Sequence, residues 1–339
     1  MVSIVDVAER AGVSVKTVSR ILGGFAGVRP ETRRRVEEAM KQLEYYPNAA
    51  ARYLRGEASN IVSLIADNLT TTPDSYEIVA GVQSECEAAG KVLMIGETGG
   101  KASSFNSLVE RFREKRTEAM IYATMFHREV VIDQSFKHCP LVLLNCIDAN
   151  GQYPAIIPDD RAGAFAATEA LIRAGHRRIA YLTLFQDMRA TALRTEGYMQ
   201  ALQQYSLKAY PELIRVSVRG GVADEFIDLP AILEDLLKAK KRPTALFCGN
   251  DKMAMRVYML VRRMGFRIPE DISVVGYDNY KLIAENLVPQ LTTVSLSYFR
   301  MGAAAAQLVL RGKFKSPGEV QRIPGELLIR GSVAPPAST

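Results

Sequence analysis

Short apolar runs alternate with longer amphipathic stretches along most of the chain. The runs lie at 61–66, 91–95, 118–122, 141–144, 178–184, 212–218, 244–248 and 272–276. Between them, stretches near 75–90, 103–115, 160–174, 190–204, 228–240 and 251–264 carry apolar residues at helical spacing. A strand–helix rhythm of this kind predicts parallel sheets joined by crossover helices. It continues too long for one six-stranded sheet, so two Rossmann-like lobes are expected. The end of the chain, Val333-Ala334-Pro335-Pro336-Ala337-Ser338-Thr339, reads as a frayed tail, and 331–339 is expected to be flexible.

The first sixty residues have no strand-like run. Ser3-Ile4-Val5-Asp6 has the form of a capping box, followed by the apolar stripe Val7, Ala8 and Ala11. Gly12 ends this helix, because a tight turn there needs positive φ. Ser14 caps a second helix whose Val18, Ile21 and Leu22 face inward. Pro30 opens a third helix that runs to about Leu43, and Tyr45-Tyr46-Pro47 stops it. Asn48 can then cap a very short helix from Ala49 to Arg55, ahead of Gly56. Seven residues are too few for a helix to be stable alone in water, so this one forms only when something holds it.

Composition narrows the class. The 339 residues are 48% hydrophobic and 24% charged, as in a folded globular protein. No apolar run is long enough to span a bilayer and no secretory signal opens the chain, so a cytoplasmic protein without membrane contact is expected. Four cysteines (Cys86, Cys139, Cys146, Cys248) form no CxxC pair, and the three histidines are scattered. Buried reduced thiols are expected, with no metal and no cofactor. Gly96-Glu97-Thr98-Gly99-Gly100-Lys101-Ala102 resembles a phosphate-binding loop but fails on spacing, and Ala102 stands where a Ser or Thr is required. No nucleophile elbow or HExxH motif occurs, so no enzyme is expected.

The formal charge of +6 becomes informative once it is located. Residues 1–60 hold ten Lys/Arg against seven Asp/Glu, half of the net charge in under a fifth of the chain. Helix, Gly-containing turn and helix around Ala11-Gly12-Val13 fit a helix-turn-helix, although a generic αα-hairpin has the same outline. The surface of the second helix separates the two. Val15, Lys16 and Arg20 project away from the apolar stripe, where a recognition helix meets base edges. Ser14, Thr17 and Ser19 can hydrogen-bond phosphates.

Four blocks carry a family resemblance: Asp6–Ser14, Thr17–Leu22, Pro30–Arg33 and Tyr46–Arg52. In this order and spacing they closely resemble the DNA-binding headpiece of the lactose/galactose repressor family. The resemblance implies a headpiece over 1–46 and a hinge helix with linker over 47–59. That hinge would fold on the operator, paired with its twofold mate in the minor groove. Leu54 then becomes the apolar wedge in the central base step, with Asn48, Ala51, Arg52 and Arg55 against DNA. Arg29 departs from the family, where a Ser often caps the third helix.

Residues 60–330 resemble the same family's core, which looks like a periplasmic sugar-binding protein. The match includes Arg173–Ala180, Arg194–Tyr198, Asn250-Asp251, Ile268–Asp278 and Pro289–Val294. It implies a first lobe over about 60–158 and 291–321, and a second over about 159–290 and 322–330. The fold expected is thus an all-α helix-turn-helix headpiece on an α/β two-lobed core with two parallel sheets. Ligands in such cores lie between the lobes, beyond the strand ends. Asp67, Asn145, Asn250 and Asp278 follow strands there, and Arg194 lies on the helix after 178–184. Position by position, the family places Asn145, Arg194, Asn250 and Asp278 at the ligand. Phe226 best matches its stacking position, with Phe185, Tyr76 and Tyr277 as other aromatic candidates.

Thr71-Thr72-Pro73, Val142–Cys146, Tyr153–Asp160 and Cys248–Asp251 resemble sucrose-operon repressors in particular. That adds Thr72 to the ligand set and implies sucrose or a fructose-containing sugar. The reading that unites these features is a homodimeric repressor of a carbohydrate-utilisation operon, bound to a near-palindromic operator and released by a small sugar. Tyr76–Gly90 and Met253–Met264 are its expected dimer faces. With no terminal heptad run, a tetramer is not expected. The alternative is a cytosolic sugar-binding protein acting as an activator or a corepressor-dependent regulator.

Overall fold

The computed structural model of the chain describes residues 2–46, 58–69, 75–132, 136, 139–186, 188–218, 228–312, 314 and 318–337. Two units emerge, residues 1–59 and 60–339. In the first, α1 (Ile4–Ala11), α2 (Val15–Leu22) and α3 (Pro30–Gln42) enclose a small core. The capping box of α1 forms in both directions: the Ser3 N–H donates to Asp6 at 2.7 Å and the Asp6 N–H to Ser3 Oγ at 3.4 Å. Those bonds, from the Ser3 backbone first, hold the Asp6 carboxyl below its usual range. Gly12 closes α1 with φ 63°, and Ser14 Oγ caps α2 at the Thr17 N–H. Val7, Val18 and Val36, one from each helix, are fully buried together. Arg29 makes no side-chain cap, and Pro30 at the first position of α3 stands in for one. The short helix expected over 49–55 lies outside the described residues, and with it Asn48, Ala51, Arg52, Leu54 and Arg55.

The second unit has two sheets. The first takes β1 (Ile61–Ala66), β2 (Val92–Glu97), β3 (Ala119–Val130), β4 (Leu141–Asp148), β5 (Ala155–Pro158) and a late strand, β11 (Val320–Ile323). Its order is β11-β5-β4-β3-β1-β2, and every pairing is parallel. Helices α4 (Ser75–Ala88) and α5 (Ala102–Glu114) belong to this lobe. The second sheet takes β6 (Ile179–Thr183), β7 (Ile214–Val216), β8 (Ala245–Cys248), β9 (Ser273–Asp278), β10 (Thr292–Ser295) and β12 (Glu326–Leu328). Its order is β12-β10-β9-β8-β6-β7, parallel except where β12 meets β10. Around it stand α6 (Asp160–Arg173), α7 (Arg189–Gln204), α8 (Leu229–Lys238), α9 (Asp251–Arg263) and the short α10 (Lys281–Ala284). The last helix, α11 (Tyr298–Arg311), returns to the first lobe, where Met301, Ala305 and Val309 join the core of Val62 and Ile78. It crosses α4 closely enough that a Cβ on Gly302 would lie 2.3 Å from the Ile78 carbonyl oxygen. Among the described residues no helix is long and apolar enough to cross a membrane.

Two boundaries differ from expectation. The sequence places residues 291–295 in the first lobe, yet Thr292–Ser295 pair in parallel register with Val275–Asp278 of the second sheet. The chain therefore crosses back after Ser295, and crosses again between Ile323 and Glu326. The described terminal residues, 331–337, are not a frayed tail. Ser332 is fully buried, its hydroxyl accepting the Thr292 N–H at 2.8 Å and donating to the Val274 carbonyl at 2.6 Å. His176 Nε2 meets the Ala334 carbonyl at 2.9 Å. Small polar residues fasten this segment through backbone hydrogen bonds, which leave no apolar pattern in the sequence.

Candidate DNA-reading face and effector cleft

On the headpiece, Val15, Lys16 and Arg20 are exposed along one side of α2, opposite buried Val18 and Ile21. The Ser14 and Thr17 hydroxyls lie 2.9 Å apart and bond each other, so the capping turn holds them in place. Ser19 is half-buried beside Arg20. The loop after α2 adds a residue that the sequence did not flag. Phe25 is 53% exposed, and the Arg20 guanidinium lies 5.4 Å from its ring centroid. Both backbone groups of Phe25 are tied: its N–H donates to the Arg20 carbonyl and its carbonyl accepts from Arg33 at 2.9 Å. An exposed cation over a pinned aromatic face is a side chain aimed before any partner arrives.

In the core, the strand ends of both lobes meet at a buried charge network. Asp160, at the start of α6, is fully buried; its Oδ1 accepts from Arg194 Nε at 2.8 Å and its Oδ2 lies 2.7 Å from His127 Nδ1. His127 belongs to β3 of the first lobe, while Asp160 and Arg194 belong to the second. Burial alone would raise the Asp160 carboxyl, but Arg194 and the His127 bond outweigh it and hold it below its usual range. Arg194 also donates to the Gly249 carbonyl at 2.6 Å and lies 3.7 Å from the centroid of the Tyr277 ring. Its Nη2 points toward Asp278, 3.8 Å away.

Asp278 sits in the left-handed region at φ 106° and is one quarter exposed. Burial raises its carboxyl to about 7, against the pull of Arg194 and with added repulsion from Asp160. Behind it Asp251 is fully enclosed, accepting from Thr293 Oγ1 and the Tyr280 N–H, both at 2.7 Å. Burial first, and then Asp278, push the Asp251 carboxyl well above the usual range. The strand β9 allows this approach at Gly276, where a Cβ would lie 2.1 Å from Asp251 Oδ1.

Two cavities flank the network. One, of about 240 Å³, is lined by Asp278, Asn279, Tyr298, Glu326 and the ion pair Lys281–Glu77. The other, of about 570 Å³, opens between Phe126, Arg128 and Glu129 of β3 and Phe185, Met188 and Arg189 of the other lobe. Glu129 and Arg189 bridge it at 2.8 Å.

Of the expected ligand residues, Arg194 and Asp278 come together, and Asn250 follows Gly249, the carbonyl that Arg194 holds. Asn250 Oδ1 caps α9 at the Met253 N–H, 2.8 Å away. Asp67 and Asn145 form a separate group in the first lobe. Both Asp67 oxygens are engaged, by the Met125 N–H at 2.9 Å and Arg128 at 3.0 Å, so it shapes the end of β3. Asn145 Nδ2 donates to the Thr124 carbonyl at 2.9 Å, and its Oδ1 is buried without a partner. Tyr277 is fully buried beneath Arg194 and cannot serve as a platform for a sugar, whereas Phe185 lines the larger cavity. Tyr76 is exposed on α4. Thr72 and Phe226 lie outside the described residues. Phe126, His127, Arg128 and Arg189 were missed. The signal for the first three was the run Phe126-His127-Arg128-Glu129, where an apolar strand turns polar before it ends.

Comparison with known proteins bears on both units. Residues 3–48 match the model of bacterial regulatory proteins, lacI family, and residues 168–333 match that of the periplasmic binding protein-like domain. The sucrose operon repressor of Escherichia coli is 32% identical over 338 residues, covering 98% of this chain and all of that one. The HTH-type transcriptional repressor PurR of Vibrio atlanticus is also 32% identical, over 91% of each chain. The lac repressor dimer bound to operator and the anti-inducer ONPF superposes with a TM-score of 0.80 at 26% identity, covering 98% of this chain and 99% of that one.

Proposed function

The chain belongs to the lacI family of bacterial regulatory proteins, a family of transcriptional repressors rather than enzymes, and from that premise we propose that it silences a carbohydrate-utilisation operon and is released by a small sugar. The observation that carries this reading is the pairing of an exposed Val15/Lys16/Arg20 face on a capped helix with a cleft in which Arg194 and Asp278 converge. The first reads base edges of a near-palindromic duplex as a homodimer in the cytoplasm. The second offers a donor and an acceptor side by side, which suits vicinal hydroxyls.

The charge balance of the cleft supports a neutral ligand. Arg128 pairs with Asp67, Arg189 with Glu129, Arg194 with Asp160 and Lys281 with Glu77. Each of these cations already has its counter-charge, so an anionic effector is not called for. A sucrose-like sugar, suggested by the relative named for the sucrose operon, agrees with that balance. The hinge over 47–59 would couple the two events, Leu54 entering the central base step as a wedge.

Selection from a random duplex library tests the DNA reading. One sequence family should be enriched and should bind at physiological salt at least about a thousandfold more tightly than random duplex. Adding sucrose, fructose, cellobiose or ribose to the selected complex tests the second half. A sugar that loosens the complex supports release, one that tightens it makes the regulator corepressor-dependent, and a protein that selects no sequence is not a repressor.

A further inference from the structure

The His127 ring is held on one side only. Nδ1 faces Asp160 at 2.7 Å, but Nε2 is buried with no hydrogen-bond partner, and the residue is 3% exposed. A polar atom enclosed in this way is costly unless something meets it. The backbone around it is shaped to put it there. β3 and β4 pair from Met120 to Ala123 and again from Arg128 to Val130, while Thr124–His127 have only Asn145 opposite. That bulge is fastened by Asp67 at the Met125 N–H and by two bonds between Thr124 and Asn145. Asn145 Oδ1 is a second buried atom on the same bulge without a partner. The bulge is also where the first lobe reaches the second: Phe126 and Arg128, the neighbours of His127, line the larger cavity.

We propose that His127 binds a hydroxyl of the effector through Nε2, with Asp160 fixing its ring and, through its other oxygen, the Arg194 guanidinium. The assignment rests on the effector-controlled reading above and adds a contact from the first lobe. A hydroxyl fits because it donates and accepts, and so meets Nε2 whichever ring nitrogen carries the proton. A carboxylate or phosphate group has no such freedom and would bring negative charge toward Asp160. One carboxylate then steadies contacts from both lobes, which ties recognition of that hydroxyl to lobe closure.

Thermal shift with sucrose, fructose, cellobiose and ribose identifies the strongest binder, which is then titrated calorimetrically into wild type, His127→Gln and His127→Asn. Gln places an amide near the position of Nε2. Asn can bond Asp160 as Nδ1 does but ends short of Nε2. His127→Gln should stay within about threefold of wild type, and His127→Asn should lose about tenfold, or about 1.4 kcal/mol. Wild-type affinity in His127→Asn overturns the assignment, as does an equal loss in both variants, which would mark a packing role.

Should either variant fail to melt cooperatively, nitrogen-15 histidine labelling of the wild type decides. The chain has three histidines, and His176 is an internal control because both its ring nitrogens are already bonded, to Thr244 and to the Ala334 carbonyl. Saturating sugar should move the His127 Nε2 resonance and leave His176 in place; an unmoved His127 overturns the assignment. If no sugar raises the melting temperature, the assignment falls together with the effector reading. Duplex selection by the same preparation still judges the DNA reading separately.

Discussion

Arg20 and Asp278 are the residues whose surroundings most change what they can do. Arg20 is a flexible side chain on an eight-residue helix, but the Phe25 ring beneath its guanidinium narrows the directions it can take. Arg20→Ala should cost about 1–3 kcal/mol of binding to the selected duplex and relax preference at one base pair per half-site. Phe25→Leu should cost less, about 0.5–1 kcal/mol, on the scale of an exposed cation–π contact, and loosen preference at that same pair. Titration against duplexes substituted at each position checks both, and a loss spread evenly over all sequences would make Arg20 a phosphate contact. Asp278 is a matter of protons. Its carboxyl, ordinarily near 3.8, titrates at about 7 when folded, so between these values the folded protein binds a proton that the unfolded chain releases. Its contribution to stability therefore falls as pH rises through that window and is level above about 7. Asp278→Asn should flatten the decline in melting temperature between about pH 5 and pH 8, and equal slopes in the two proteins would count against the raised carboxyl. Neither Phe25 nor the proton on Asp278 was legible in the sequence, because each depends on what a fold brings next to it. Arg194 and Asp278 themselves were legible, through motifs at strand and helix positions.

At the scale of elements, the sequence was clearest where local chemistry is strongest. Ser3 with Asp6, Gly12, Ser14 and Pro30 marked the three headpiece helices to within a residue, since caps and turns act over three or four positions. The apolar runs of β1, β4, β6, β8 and β9 were equally plain, being buried on both faces. The short strands β5, β10, β11 and β12 were not, because three or four residues carry no period. β3 was seen only in its first half; its bulge is a property of the pairing with β4. The terminal segment is the sharpest case. Ser332 fills two hydrogen bonds between β9 and β10, and Ser332→Ala would leave the Thr292 N–H and the Val274 carbonyl with fewer partners inside the sheet. We expect a loss of about 1–3 kcal/mol in denaturant unfolding, and a larger loss when the chain is cut after Arg330. A truncated protein as stable as the full chain would restore the frayed tail. The hinge carries its own expectation: Leu54→Ala should weaken binding to the selected duplex and reduce the bend measured by gel mobility, and an unchanged bend would remove the wedge.

For the whole molecule, the proposed function raises the question of how a sugar between two lobes would act on a duplex held by another unit. Among the described residues, the contacts that join the lobes of the core include the ion pairs Glu77–Lys281 and Glu129–Arg189 and the buried His127–Asp160 hydrogen bond. Exposed pairs of the first two kinds are worth little singly, so they set an angle between the lobes without locking it. The buried contact has a different standing, because Asp160 also holds Arg194: removing Asp160 strips a buried partner from both, whereas removing His127 leaves Asp160 with Arg194. A ligand that bonds His127, Arg194 and Asp278 at once thus favours one lobe arrangement over others by the difference in its contacts, and can shift the equilibrium by no more than that difference. Effects of this kind amount to about 1–3 kcal/mol, and they are reciprocal. If the best sugar weakens operator binding about thirtyfold, saturating operator must weaken that sugar's binding by the same factor. Calorimetric titration of the sugar into free protein and into the protein–duplex complex measures it. Arg189→Gln, which breaks the Glu129 contact across the cleft, should change this factor, and by the same amount whether it is read from sugar binding or from operator binding. A sugar that binds free and operator-loaded protein with equal affinity, while still releasing the duplex, would require a second sugar site outside the cleft.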